Sequence, residues 1–127
     1  MKKDCPFCQI VHGEDRDLLY EGEFFVAFYD KYPVNEGHTL LVPRRHLLSL
    51  AEIPAGMGQN LIEAINELRN FLQEKYSPDG FNIGLNEKEA AGQSIDHLHW
   101  HLIPRYSGDV KDPLGGVRGV IPGKQKY

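Results

Sequence analysis

The sequence lacks the features that direct a chain into a membrane or out of the cell. No apolar stretch approaches the ~20 residues needed to cross a bilayer. The N-terminus, from Met1 to Pro6, has no apolar run of the kind found in a secretory signal. Positive charge is not in surplus either, because the formal net charge is -4 and the pI is about 5.8. Since binding to nucleic acids or anionic membranes generally calls for a basic surface, we expect a cytoplasmic protein that binds neither.

Cysteine is scarce, and the two cysteines present, Cys5 and Cys8, form a C-x-x-C pair. In a reducing compartment this spacing indicates a metal half-site or a redox pair rather than a structural disulfide. A thioredoxin-type redox motif expects a preceding strand, and the residues before Cys5 leave no room for one. Metal binding is therefore favoured over a redox pair or two unpaired buried cysteines.

The chain of 127 residues, 41% of them hydrophobic, suits a single domain with one core over about 5–105 and a C-terminal loop over 106–127. The apolar patterns predict a short N-terminal helix over 6–11, a long helix over 57–76 and five strands. The strands fall at 18–21, 23–29, 38–43, 81–86 and within 93–104. Connections too short for repeated βαβ crossovers favour an α+β fold with a mainly antiparallel sheet.

Two further patterns complete the predicted fold. The long helix carries an apolar stripe at i, i+4, i+7 and i+11, which we interpret as core. The stripe consists of Leu61, Ile65, Leu68 and Leu72. The charged run 14–17 and the polar stretch 87–92 are expected to be loops, the second of which leads into the histidine-rich segment.

Three histidines, His97, His99 and His101, alternate with apolar residues. Alternate side chains of a strand share one face at a spacing of about 6.6 Å, so the outer pair is about 13 Å apart, too far for all three to bind one zinc easily. The other face, with Leu98 and Trp100, would pack against a helix. Imidazole can act as a nucleophile, an acid or base, or an anion ligand, so the pattern indicates phosphate chemistry rather than a decorated solvent-facing strand.

The segment resembles the signature of the histidine triad (HIT) family, in which His-apolar-His-apolar-His and two apolar residues follow a Gly-Gln-Ser/Thr sequence. Gly92-Gln93-Ser94 supplies that sequence here, and the resemblance extends from Cys5 to about Arg105. It implies a HIT-like fold that pairs as a two-fold homodimer and binds a purine nucleotide or dinucleotide.

The resemblance also implies roles for individual residues. His99 would be the nucleophile that forms a nucleotidyl-histidine, His101 would contact the phosphate, and Ser94 the leaving group. Main-chain carbonyls or His38 could orient His99. Asp30 would bind the ribose hydroxyls. Apolar positions around the base would be Phe7, Ile10, Phe28 and Leu40, although each could equally be plain core, and positions near the phosphates would be Asn86, Gly92 and Gln93.

A structural zinc site follows from the same resemblance. In zinc-bearing members the two cysteines are joined by a histidine after the third strand and by the first histidine of the triad. These are His46 and His97 in this sequence. The expected ligands of Zn²⁺ are therefore Cys5, Cys8, His46 and His97.

The resemblance leaves the substrate open. Ser94 is similar to the branch that cleaves adenosine phosphoramidates, whereas the sequence from Leu102 to Arg105 is more similar to the diadenosine polyphosphate hydrolases. Arg105 and Arg118 are candidates for holding a second phosphate chain. Two other hypotheses remain: a nucleotide-binding regulatory module with little turnover, and a small zinc-binding interaction domain.

Overall fold

The computed structural model describes residues 2–14 and 17–127. A five-stranded antiparallel sheet has the strand order β1-β2-β3-β5-β4. The strands of the sheet are β1 Tyr20–Glu21, β2 Phe25–Tyr29, β3 Thr39–Pro43, β4 Gly80–Leu85 and β5 Trp100–Arg105. The α-helices of the domain are α1 Pro6–His12 and α2 Gly58–Tyr76. The predicted α+β class, with a short and a long helix, is confirmed. Asp15 and Arg16, in the predicted loop 14–17, lie outside the described residues.

Helix α2 covers one face of the sheet through the predicted apolar stripe. Leu68 and Leu72 are fully buried, and Leu61 and Ile65 pack against the same cluster. The helix ends at Ser77, whose left-handed backbone (φ 49°, ψ 49°) precedes Pro78, a residue that disfavours a helical conformation before it. Across the described ranges, no helix combines the length and the apolar character needed to span a bilayer.

Helix α1 covers part of the opposite face. Phe7, Cys8 and Val11 are buried against Phe28 and Leu40 of the central strands. Proline at the first helical position leaves no N–H unpaired there, and the Cys5 thiol accepts a hydrogen bond from the Cys8 N–H at 3.3 Å. The short helix is thus built around the C-x-x-C pair and holds both sulfurs against the sheet.

The histidine segment differs from its prediction in one respect. Strand β5 begins at Trp100, so His101 is its only histidine, and His97 and His99 lie in the chain before it. The ladder with β3 ends here because Pro43 has no N–H to donate, and the Leu98 N–H bonds to the Leu47 carbonyl instead, at 2.7 Å. The predicted alternation of faces nevertheless continues, since Leu98 and Trp100 join the core beneath α2.

The C-terminal segment was predicted to be an ordered or draped loop, and one short helical turn interrupts it. Residues 109–126, which we call the C-terminal arch, contain a 3₁₀ turn at Gly116–Val120 and return over the sheet. An ion pair between Asp112 and Lys126 (3.0 Å) closes the arch. Gly115 has φ of 92° and contacts the Gln125 carbonyl so closely that a Cβ would collide with it. The loop 87–92 likewise contains a 3₁₀ turn, at Glu89–Ala91.

Candidate functional site

Four side chains with metal-binding atoms meet beneath helix α1, and they are the four predicted zinc ligands. The Cys5 and Cys8 sulfurs each lie 3.5 Å from His97 Nδ1, and Cys8 Sγ lies 3.2 Å from His46 Nδ1. All four ligand atoms lie within 4.8 Å of one another. Sulfur and nitrogen ligands placed tetrahedrally at about 2.3 and 2.0 Å from zinc would be about 3.5 Å apart. The separations therefore fit a tetrahedral site.

The surroundings of His97 favour metal binding through Nδ1. Its Nε2–H donates to the Pro43 carbonyl at 2.9 Å, which leaves the lone pair on Nδ1 facing the sulfurs. Burial lowers the pKa of His97 to about 4, so the ring is neutral at pH 7. Burial also raises the pKa of the Cys5 thiol, a cost that a bound cation would offset. By donor type, spacing and protonation, these residues fit zinc.

His99 is held by a main-chain carbonyl two residues away. Its Nδ1 lies 2.8 Å from the His97 carbonyl oxygen and must carry the hydrogen, because a carbonyl can only accept. The neutral ring then presents an unprotonated Nε2. The ring is buried, and the edge of Phe7 packs against it with centroids 5.0 Å apart. Of the two orienting groups predicted for His99, the structure supplies the carbonyl.

His38 is bonded to His101 instead. Asp30 follows β2 and His38 precedes β3, and a main-chain bond from the Asp30 N–H to the His38 carbonyl (3.0 Å) joins the two positions. His38 Nε2 lies 2.9 Å from His101 Nδ1 and 3.3 Å from Asp30 Oδ2. Burial lowers the pKa of His38 and lowers that of His101 to about 4, so both rings are neutral at pH 7.

The hydrogen positions in this group follow from the Val34 N–H, which donates to His38 Nδ1 at 3.1 Å. His38 therefore carries its hydrogen on Nε2 and donates it to His101 Nδ1, which leaves the hydrogen of His101 on Nε2. Asp30, His38 and His101 converge closely enough to suggest a second metal site. The Val34 bond argues against one, because a metal at His38 Nε2 would require a hydrogen on Nδ1.

His99 and His101 thus hold opposite tautomers, and this gives a prediction. At a pH of about 5.5, where an ordinary histidine with a pKa near 6.5 is mostly protonated, we expect His101 to remain neutral with its hydrogen on Nε2. Long-range ¹H–¹⁵N spectra measure tautomer and charge, and the urea-unfolded chain serves as the reference. A cationic His101 at that pH in the folded protein would contradict the assignment.

The apolar residues predicted to surround a base lie together on the α1 side of the sheet. Phe28 and Leu40 are cross-strand neighbours, and the Phe7 ring meets the Phe28 ring edge-on at 5.5 Å between centroids. Ile10 is half-buried at the margin of the cluster. Packing alone explains these contacts, so a role in base binding stays a prediction.

The residues predicted to lie near the phosphates and the leaving group do not all line the same cavity. Asn86 lines a cavity with His38 and His101. Ser94 is exposed and lines another cavity, next to Cys5 and His46. Ser94 has no hydrogen bond among the described residues, and its role as a leaving-group contact stays a prediction.

Gly92 and Gln93 shape the loop before the histidines. Gly92 has φ of 90° and closes the 3₁₀ turn. The Gln93 amide accepts from the Lys88 N–H at 2.8 Å and donates to the Ile95 carbonyl at 3.1 Å. These bonds hold the Gln93 side chain against the loop, and its predicted place near the phosphates stays a prediction.

Sequence reasoning predicted that a main-chain carbonyl could orient His99, but it did not identify which main-chain groups orient the histidines of the site. The carbonyls of Pro43 and His97 and the N–H of Val34 determine which imidazole nitrogen carries hydrogen. They left no signal in the sequence because every residue type offers a carbonyl. Arg105, a candidate for holding a second phosphate chain, pairs with Asp109 through Nε and one terminal nitrogen, both at 2.8 Å. The phosphate role of Arg105 stays a prediction.

A five-stranded antiparallel sheet that presents alternating histidines beside a Cys-Cys-His-His cluster defines a histidine triad domain. The HIT domain family matches residues 12–108, and the chain belongs to that family. An uncharacterised HIT-like protein of Methanocaldococcus jannaschii is 42% identical over 106 residues, which make up 83% of this chain and 81% of that protein.

Two further similarities concern activity and metal content. Adenylylsulfatase HINT3 of Arabidopsis thaliana is 34% identical over 110 residues, 86% of this chain but 56% of that longer protein. The crystal structure of a zinc-bound histidine triad family protein from Mycobacterium smegmatis superposes with a TM-score of 0.75 at 33% identity. The match covers 84% of this chain and 78% of that one.

Proposed function

We propose that this protein hydrolyses or transfers nucleotides at the α-phosphorus through a covalent nucleotidyl-histidine on His99. The substrates proposed are dinucleoside polyphosphates or nucleoside phosphoramidates. The observation that carries this proposal is the pair of opposite tautomers. His99 presents a lone pair on Nε2, whereas His101 presents an N–H. A nucleophile beside a fixed hydrogen-bond donor is what displacement at phosphorus needs.

In the first step, His99 Nε2 forms a bond to the α-phosphorus as the bond from phosphorus to the leaving group breaks. A leaving phosphate departs with the electron pair as an anion. A leaving amine also takes one proton, which solvent water supplies by way of the Ser94 hydroxyl, whereas His101 keeps its proton and donates a hydrogen bond from Nε2 to a non-bridging oxygen. The positive charge on His99 is stabilised through Nδ1–H by the His97 carbonyl, 2.8 Å away.

In the second step, water attacks phosphorus and the bond to His99 breaks, returning the electron pair to Nε2. The proton released by the attacking water passes to solvent with either leaving group, and it replaces the proton that a leaving amine took up. His38 keeps His101 in one tautomer throughout, because the Val34 N–H fixes the hydrogen of His38 on Nε2.

Nucleoside recognition is proposed for Asp30 and the apolar cluster on α1, β2 and β3. Asp30 Oδ1 accepts from the Tyr32 N–H at 2.9 Å, and Oδ2 lies 3.3 Å from His38 Nε2. A carboxylate retains further acceptor sites for two ribose hydroxyls. Apolar side chains offer few fixed donors or acceptors with which to discriminate between purines, so we expect weak base selectivity.

Zinc bound by Cys5, Cys8, His46 and His97 is proposed as a structural element. These residues come from the N-terminal helix, the chain after β3 and the chain before β5. A bound cation would join these three segments and neutralise the buried sulfurs. Because His97 also orients His99 through its carbonyl, the ligand set would help position the nucleophile without contacting the substrate.

The test of the function is a substrate panel with the purified protein. We expect release of nucleoside monophosphate from adenosine phosphoramidate, diadenosine tetraphosphate or both. Acid-quenched samples should contain a protein-bound nucleotide, detectable by mass spectrometry. Tight nucleotide binding without turnover on any member of the panel would favour the regulatory module instead.

We also propose a two-fold homodimer, because β4 is a six-residue edge strand whose outer hydrogen-bonding groups have no strand partner among the described residues. Pairing two such edges would satisfy them. Light scattering at micromolar concentration should give twice the chain mass of 14.4 kDa. A mass equal to one chain would rule out this assembly.

A further inference from the structure

The loop 86–93, between β4 and the histidine segment, holds one residue in a backbone conformation that favours glycine. Lys88 has φ of 73° and ψ of 165°. Within residues 2–14 and 17–127, the only other non-glycine residue with positive φ is Ser77, which lies in the ordinary left-handed region that often ends a helix. Residues other than glycine adopt the conformation of Lys88 only when their surroundings impose it. Contacts on both sides of Lys88 must therefore hold it in place.

On its C-terminal side, Lys88 is held by hydrogen bonds within the loop. Its N–H donates to Gln93 Oε1 at 2.8 Å. Its carbonyl accepts from the N–H groups of Ala91 (3.1 Å) and Gln93 (3.2 Å). These bonds close a compact turn, but a turn that is bonded only to itself could swing about its connection to β4. A second attachment is needed to fix its orientation.

The carboxylate of Glu87 provides that second attachment. Its Oε1 accepts from the Ser49 hydroxyl at 2.7 Å, and its Oε2 accepts from the Leu50 N–H at 3.4 Å. Glu87 is half-buried, and a hydrogen bond to a charged acceptor is stronger there than on an open surface. Because Glu87 directly precedes Lys88, fixing its side chain restricts the peptide between the two residues.

The segment that binds this carboxylate is itself fixed by a capping box. Glu52 Oε1 accepts from the Ser49 N–H at 3.1 Å, and the Ser49 hydroxyl accepts from the Ala51 N–H at 3.1 Å. Two residues before Ser49, the Leu47 carbonyl accepts from the Leu98 N–H. The bond between Ser49 and Glu87, which we call the loop anchor, thus connects the loop with the histidine segment.

The anchored loop carries a residue that faces the proposed site. Asn86 directly precedes Glu87 and lines a cavity with His38 and His101. A swing of the loop would move Asn86 relative to both histidines. Since a displacement of about 1 Å in a group that positions a substrate can lower a rate by about two orders of magnitude, the orientation of this loop would matter to the reaction.

We propose that Glu87 is a positioning residue. Through the loop anchor it holds the strained conformation of the loop, and this conformation keeps Asn86 in the cavity of His101. The inference rests on the proposed function, which places the reacting phosphate at this cavity. Without the anchor, Lys88 can relax into an ordinary backbone region, and the turn that follows it would move. Glu87 does not line the cavity of His101, so its effect passes through Asn86.

The kinetic test compares Glu87→Ala with Glu87→Gln on whichever substrate is turned over. We expect Glu87→Ala to lower kcat by about tenfold or more, with KM changed by less than about threefold, because Asp30 and the apolar cluster are untouched. Glutamine retains an oxygen that accepts from the Ser49 hydroxyl, so Glu87→Gln should restore kcat to within about threefold of the unmodified protein. An unchanged kcat in Glu87→Ala, or an equal loss in both variants, would overturn the inference.

Glu89→Ala is the matched control. Glu89 lies in the same loop and carries the same charge, but its side chain has no hydrogen bond or ion pair in the part of the chain that the structure describes. This variant should keep the kcat of the unmodified protein. A loss equal to that of Glu87→Ala would assign the effect to negative charge in the loop and would reject the anchor.

A thermal cycle separates this inference from the proposed function, because it requires no turnover. Lys88→Gly should raise the melting temperature of the unmodified protein by about 3 °C or more, since glycine relieves the strain. In the Glu87→Ala background, where Lys88 has relaxed, the same substitution should give no rise, because glycine there adds only freedom to the unfolded chain.

The two experiments fail in different ways. The thermal difference between the two backgrounds, found together with no turnover on any substrate, would reject the enzyme and keep the anchor. Equal thermal shifts in both backgrounds, or no rise in the unmodified protein, would reject the anchor, whatever the turnover.

Discussion

Replacing His99 with alanine should abolish turnover, lowering kcat by about 10⁴-fold or more, while nucleotide affinity stays within about tenfold. The change removes the one nitrogen positioned to form the bond to phosphorus. It spares Asp30, His101 and the apolar cluster that would hold the nucleotide. Rates and affinities are measured on the same preparation, with AMP as the ligand for the affinity. Activity close to that of the unmodified protein would refute the nucleotidyl-histidine mechanism.

His12→Ala is the matched control for this experiment. His12 is an exposed histidine in the last turn of α1 and has no part in the proposed site. Its removal should leave turnover unchanged, which separates loss of the nucleophile from the general effect of deleting an imidazole. A protein-bound nucleotide should be trapped in the His12 variant and in the unmodified protein, and not in the His99 variant.

The sequence predicted which side chains share a face because that property requires only an extended backbone. His97, His99 and His101 alternate with apolar residues, and the apolar set packs beneath α2 as expected. Where the strand begins is a different question. It depends on Pro43 lacking an N–H and on the Leu47 carbonyl capturing the Leu98 N–H. The alternation of histidines with apolar residues reveals neither of these effects, because both involve residues far away in the chain.

The convergence of Cys5, Cys8, His46 and His97 was predicted in full, whereas the hydrogen-bond network was predicted only in part. Cysteine and histidine side chains carry metal-binding atoms that can be recognised by type, so their convergence could be expected from the resemblance. The tautomers of His99 and His101 depend on main-chain groups of His97 and Val34, which have no residue signature. The sequence alone therefore could not decide whether a carbonyl or His38 is the partner of His99, and the three-dimensional structure was needed.

The C-terminal arch shows the same limit. Its composition, rich in glycine and proline, predicted irregular structure, and glycine at position 115 indeed supports a left-handed turn. Whether such a segment turns away or returns over the sheet is decided by pairings such as Asp112 with Lys126 and Asn35 with Asp109, the latter at 2.7 Å. These pairings connect residues that no periodic pattern relates.

Removal of zinc should have the second large effect, this time on stability. We expect one zinc per chain by elemental analysis, and chelation should lower the melting temperature by about 10 °C or more. The bound ion would join α1 to the chain after β3 and the chain before β5, and without it the buried sulfurs of Cys5 and Cys8 would have no cation to neutralise them. Calorimetry with and without chelator measures the loss.

Cys8→Ser makes the zinc prediction specific. A hydroxyl is a poor substitute for a thiolate ligand, so this variant should contain little zinc, melt near the temperature of the chelated protein and lose nothing more on chelation. His12→Ala, which leaves the four ligands intact, should respond to chelator as the unmodified protein does. Because thiolates must form before zinc binds, zinc affinity should fall as the pH falls. Absence of zinc from a protein that is equally stable with and without chelator would show that the four residues pack together without serving a metal.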